Sequence, residues 1–156
     1  MGICKRGWTL AFILPLAAIA GPGCISTNLP KPVIFESSEI HATLTLPCKV
    51  CSTRDFSVRT VFLNTSERRV KLNHFVVQSP QLTLDVFNAK GKLLPPVPPP
   101  LPPDDLAQFD KLLFPGESYE VNYPLAIVSD LLPNGEYAVR ARGFPSNTVY
   151  FRLVVR

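Results

Sequence analysis

Cys48-Lys49-Val50-Cys51 is the stretch of this chain whose residue types and spacing could carry chemistry. Two thiols separated by two residues can shuttle electrons, hold a metal, attach haem or close a disulfide, and the surrounding residues decide among these. A redox pair needs its first Cys at a helix N-terminus, where the dipole lowers the thiol pKa. Pro47 and the alternating residues before it offer a strand instead. A c-type haem site needs His directly after the second Cys, and Ser52 stands there. Zinc could recruit His41 and His74, but the usual partner of a Cys-x-x-Cys pair is a second close pair, which the sequence lacks. The reading that survives is a structural disulfide between Cys48 and Cys51, with free thiols as its alternative, and neither metal nor cofactor is expected.

The other polar clusters are weaker. Asp104, Asp105 and Asp110 could ligate calcium, yet they do not follow the spacing of a calcium loop and suit a helix cap better. No Ser/His/Asp arrangement can be assembled, so no catalytic residue is assigned and an enzyme is not expected. Asn64-Thr65-Ser66 is formally a glycosylation acceptor, placed in a tight turn. Residues 95–103 hold seven prolines in nine positions, a composition restricted to extended polyproline II or irregular backbone. Lys92-Leu93-Leu94-Pro95-Pro96-Val97-Pro98 fits a basic-x-x-Pro-x-x-Pro ligand. Pro95, Pro96, Val97, Pro98, Pro99, Pro100 and Leu101 therefore form a candidate binding loop, with a stiff exposed connection as the plainer reading.

Where the chain acts is written at its N-terminus. Lys5 and Arg6 precede an uncharged apolar run over residues 8–20, too short for the roughly 20 residues that span a bilayer but typical of a secretory signal. Ala18-Ile19-Ala20 matches an ordinary cleavage site, whereas Gly23-Cys24 resembles the end of a bacterial lipobox. Cysteine parity favours the second: with Cys4 removed and Cys24 lipidated, Cys48 and Cys51 remain as an even pair in an oxidising compartment. The expected organisation is a signal peptide over 1–23, a Pro-containing tether over 24–38 and one domain over 39–156. The product is an exported, membrane-anchored lipoprotein of the bacterial cell envelope, or a soluble periplasmic or secreted form if cleavage follows Ala20. Expected partners are the membrane, through the lipid on Cys24, and an unidentified envelope protein. The formal charge of +4 shrinks once Lys5 and Arg6 leave, and no basic patch interleaved with aromatics remains for nucleic acid.

These features need a scaffold. Hydrophobic residues make up 46% of the chain and charged ones 18%, enough for a core, while seventeen prolines argue against an all-helical fold. Period-two alternation predicts strands over 40–46, 56–63, 68–77, 81–87, 119–125, 138–142 and 149–155. A parity switch after Leu72 suggests a bulge near Asn73-His74. A helical turn capped by Asp104 or Asp105 precedes an edge strand, and a short helical connection is expected over 126–131. Leu132-Pro133-Asn134-Gly135-Glu136-Tyr137 organises the whole. Pro133 and Gly135 make a turn in which Gly135 supplies positive φ, and Tyr137 buries its ring while its hydroxyl reaches back to the upstream backbone, as in a tyrosine corner. The strand that follows is expected beside those over 119–125 and 148–155. The fold class is all-β: an antiparallel, immunoglobulin-like Greek-key sandwich of about seven or eight strands.

The block over 56–142 resembles bacterial immunoglobulin-like domains, in particular the intracellular proteinase inhibitor (BsuPI-like) family. The residues that carry the likeness are Asn64-Thr65-Ser66 at a strand end, the strand and turn from Asp85 to Gly91, Leu113-Phe114-Pro115-Gly116-Glu117-Ser118-Tyr119, and the Gly135 and Tyr137 corner. The resemblance implies the sandwich and, as an activity, proteinase inhibition. The proline tract and the export signal depart from that family. The leading expectation is accordingly a non-enzymatic binding or assembly module of the envelope, with an extracytoplasmic inhibitor as the alternative.

Overall fold

The computed structural model describes residues 36–53, 56–95, 97–98, 100–125 and 132–155. The expected signal peptide, Cys24, most of the tether and the connection over 126–131 lie outside the described residues. What is described belongs to one compact unit, Pro32–Arg156.

Alternation builds the strands. In β1 (Ile40–Thr45), Ile40, Ala42 and Leu44 are buried while His41, Thr43 and Thr45 face water. β2 (Val50–Cys51) buries Cys51 only. β3 (Ser57–Asn64) keeps the same period of two, with Val58, Thr60, Phe62 and Asn64 inward. β4 (Val70–Asn73) leads into two one-turn helices, α1 (His74–Gln78) and α2 (Pro80–Thr83), and then β5 (Leu84–Asn88). After the proline tract a single 3-10 turn (Ala107–Phe109) precedes β6 (Asp110–Leu113) and β7 (Ser118–Pro124), and β8 (Gly135–Ala141) and β9 (Val149–Leu153) close the chain.

The strands form a three-stranded antiparallel sheet in the order β1-β3-β7, a four-stranded sheet in the order β2-β9-β8-β5, and a two-stranded sheet of β4 and β6. One core joins the two larger sheets. It takes Ile40, Val58, Phe62 and Tyr123 from the first and Val86, Tyr137, Val139, Phe151 and Leu153 from the second. Edge-to-face aromatic contacts join the two sides at 5.4 Å between the Phe56 and Phe151 rings and 5.0 Å between Phe62 and Phe144, a geometry that adds roughly 0.5–1.5 kcal/mol beyond burial. The architecture is thus predominantly β and fits a β-sandwich.

Five details differ from the sequence reading. The parity switch at Asn73 marks a helix start and not a bulge: the Asn73 side chain accepts a hydrogen bond from the Val76 amide at 3.2 Å, ending β4 by capping α1. The expected strand over 81–87 begins only at Leu84, because Pro80 opens α2 at a position where its missing N–H is not needed. Gly135 has no positive φ, which among the described glycines belongs to Gly91, Gly116 and Gly143. It is the first residue of β8, opposite Leu153, and the turn before it is held by Asn134, whose side chain exchanges two hydrogen bonds of 2.8 Å with the Val155 backbone. Finally, the fold is not wholly antiparallel: β2 runs parallel to β9. β7 also pairs with β3 in the opposite sheet, so β8 has β5 and β9 as its neighbours.

Candidate functional site

The predicted chemical residues are placed as follows. Cys48 and Cys51 are joined by a disulfide with Cα atoms 5.7 Å apart. It closes the turn that holds β2 against β9, where Arg152 N–H donates to Lys49 O at 2.8 Å and Val154 N–H to Cys51 O at 2.9 Å. His41 is exposed on β1, and His74 stacks on Tyr119 at 4.5 Å. Among the described residues no group of three or more His, Cys, Asp or Glu converges to hold a metal ion. Asp105 accepts from the Ala107 amide at 3.0 Å, and Asp110 accepts from the Asn73 side chain at 2.8 Å. The Asn64 amide, at the end of β3, is buried and donates to Arg68 O and Leu113 O at 2.7 and 3.0 Å, so it has no group to offer a glycan.

The candidate loop is pinned at its root and bare at its crest. Leu94 N–H donates to Val86 O at 2.8 Å, laying the chain along the outer edge of β5. Beyond it Val97 is half-buried, Pro95, Pro98 and Pro100 are exposed, and Leu101 is 83% exposed. Pro96 and Pro99 lie outside the described residues. At the corner, the Tyr137 hydroxyl donates to Pro133 O at 2.7 Å, and its ring stacks on Phe151 at 5.5 Å. Burial pushes the Tyr137 hydroxyl pKa up.

The arrangement best suited to recognition lies elsewhere, on the outer face of the four-stranded sheet. Three hollows, of about 700, 420 and 280 Å³, open onto it. Register explains the middle one: Phe87 and Tyr150 both stand opposite Ala138 in neighbouring strands, so two aromatic rings rise on either side of a methyl floor. Tyr150 is 72% exposed. Arg140, two residues along β8, lines both the middle hollow and the largest one. Its guanidinium lies 4.8 Å from the Phe87 ring centroid, and it reaches Asp85 only at 3.5 Å. Asp85 is held more closely by Arg142, at 2.7 Å, and Arg142 also donates to Gln81 O and Leu84 O. Arg142 is therefore spent on structure, while Arg140 lies over the Phe87 ring with its side chain 53% exposed. Glu136 stands opposite Arg152 across the strands, and Lys49 lines the third hollow.

Arginine and tyrosine around a small apolar floor are the residue types that dominate binding hot spots, because both bury large rigid surfaces and still carry donors. The period-two alternation over 138–142 and 149–155 sets Arg140, Arg142, Tyr150 and Arg152 on the outward side. What alternation along one strand does not show is that Phe87, Ala138 and Tyr150 share a row beside Arg140.

Comparison with family models and with curated proteins finds no match to this chain.

Proposed function

We propose that this protein is a non-enzymatic binding or assembly module of the bacterial cell envelope. It is exported by the N-terminal signal and held at the membrane through lipid on Cys24, or released as a soluble periplasmic or secreted form. The domain is read as an immunoglobulin-like Greek-key sandwich. This is supported by the two large sheets, in which β1-β3-β7 and β2-β9-β8-β5 set strands distant in sequence side by side. The observation that carries the binding reading is the row Phe87-Ala138-Tyr150 with Arg140 at its lip, where Tyr150 and Arg140 are both exposed.

A photo-crosslinking residue placed at position 150 of the full chain in intact cells tests it. One dominant adduct, absent when the same residue stands at position 43 on the other sheet, is expected. Equal adducts at both positions, or none, would sink the reading. Mass spectrometry of the mature N-terminus tests the anchor: a lipid-modified Cys24 is expected, and an unmodified N-terminus at Gly21 overturns it.

Leu101 favours a second reading, an extracytoplasmic inhibitor of the BsuPI-like type with the loop presented to a protease cleft. It stands 83% exposed on the stiff proline-rich segment. Stoichiometric inhibition of any member of a protease panel, lost in Leu101→Asp, would establish that alternative.

A further inference from the structure

The geometry points to an extended acidic peptide segment as the occupant of the Phe87-Ala138-Tyr150 hollow, with a carboxylate on Arg140 and an apolar or aromatic side chain over Ala138. The inference rests on the binding reading above and adds the chemistry of the partner.

Charge decides the sign of the partner. The three hollows are lined by Arg140, Arg142, Arg152 and Lys49 against Glu36, Asp85 and Glu136, an excess of one positive charge. Asp85 is engaged by Arg142 at 2.7 Å, and Glu136 faces Arg152 in register. Arg140 keeps a contact of 3.5 Å to Asp85 and no other described hydrogen-bond acceptor, and its side chain is 53% exposed. A guanidinium stacked on an aromatic ring presents its edge donors in a fixed plane, which suits the two oxygens of a carboxylate. Lys49 supplies a second positive charge beside the hollow formed with Tyr150 and Arg152. An incoming carboxylate meets a held donor at little ordering cost, whereas an incoming cation would have to displace Arg140 from Phe87.

Register decides the spacing. Ala138 and Arg140 point to the same side of β8 and are two residues apart, roughly 7 Å. In an extended ligand, side chains at i and i+2 share one side at that same separation. A segment lying along β8 therefore reaches both positions with an acidic residue two places from an apolar or aromatic one. Peptides with the two in adjacent positions, or three apart, direct them to opposite sides.

The test is selection from a display library of random twelve-residue peptides on the immobilised full chain, with Arg140→Gln, Tyr150→Ala and Ala138→Trp as variants and Arg59→Gln on the other sheet as control. Enrichment of Asp or Glu two positions from Phe, Tyr, Trp, Leu or Ile is expected. Binding of the enriched peptides should fall at least tenfold in Arg140→Gln and in Tyr150→Ala and stay unchanged in Arg59→Gln. Tyr150 is largely exposed, so its truncation keeps the test meaningful if Ala138→Trp fails to fold. Peptides that depend on Tyr150 but lack acidic residues, or tolerate Arg140→Gln, overturn the acidic partner and leave the binding face standing. No enrichment, or enrichment indifferent to all three variants, overturns both.

Discussion

The two large sheets share a core but present unlike outer faces. The central row of the three-stranded sheet is Thr43-Val61-Glu120, and Glu120 is closed in a two-point pair with Arg59 at 2.8 and 2.6 Å. That pair holds the Glu120 carboxyl below its usual pKa and the Arg59 guanidinium above it. The central row of the four-stranded sheet is Phe87-Ala138-Tyr150, bounded by an arginine that its nearest carboxylate barely reaches. The first face closes its central carboxylate in a two-point pair, and the second leaves the Tyr150 ring 72% exposed beside a loosely paired guanidinium. β-structure alone would be served by either composition, and the binding proposed above rests on the difference.

The comparison depends on a common core, and the largest effects are expected there. Phe62 lies under the first face and Phe151 under the second, and both are buried. Phe62→Ala and Phe151→Ala should each cost about 3–5 kcal/mol in urea-unfolding stability. A much smaller loss for one of them would mean that the two sheets do not share a single cooperative core.

The Cys48–Cys51 bridge affects only the edge of the second face. The chain-entropy estimate for so short a loop is about 2 kcal/mol. Cys48→Ala should therefore lower stability by that amount, and its amide exchange should quicken over β2 more than over β3. Uniform quickening would show that β2 is not a separable edge.

Two tyrosines tie these regions together through hydroxyl bonds to backbone carbonyls, and they differ in depth. The Tyr123 hydroxyl donates to Val77 O, joining β7 to α1, and burial raises its pKa beyond the usual tyrosine range. Tyr137 is raised less deeply at the β8 corner. A raised folded-state pKa means that the contribution is complete below the unfolded value, about 10, and is lost as pH climbs through the folded one. The urea midpoint should hold steady up to about pH 10 and decline above it. Tyr123→Phe should reduce that decline more than Tyr137→Phe, while each substitution costs about 1 kcal/mol at neutral pH for its hydrogen bond. Equal alkaline slopes in both variants would contradict the ranking.

Period-two alternation was sufficient to read most strands and the inward set Tyr137, Val139 and Ala141, because burial on one face of a pleat leaves that trace directly in the sequence. It failed over residues 73–83, where Leu72 and Val77 look like the end of one strand and Leu82 and Leu84 like the start of the next, yet Asn73 caps one helix and Pro80 starts another. A side-chain cap and a proline each override an apolar period. Gly135 misled for a related reason. The sequence shows a glycine in a turn, but a Cβ there would meet the Tyr137 hydroxyl at 3.6 Å and its ring at 3.7 Å, ordinary contact, and φ is not positive. Gly135→Ala should therefore be near neutral, whereas Gly116→Ala, with φ at +74°, should cost about 1–2 kcal/mol. The candidate face was half-visible: alternation revealed which residues face out, but pairing Phe87 with Ala138 and Tyr150 needed the register across three strands, which no local pattern encodes.

The smallest stability effects carry the sharpest test of the comparison. Arg59→Gln breaks an exposed pair whose side chains are 56% and 43% accessible, and such pairs contribute little to folding because water screens them. Arg140→Gln removes a guanidinium that is 53% accessible and only loosely joined to Asp85. Both variants should unfold at the wild-type urea midpoint within error. They should separate only when a ligand is present, Arg59→Gln behaving as wild type and Arg140→Gln losing binding. A fall in midpoint for Arg140→Gln alone would assign its charge to holding Asp85 in place, and the unlike composition of the two faces would then reflect folding and not recognition.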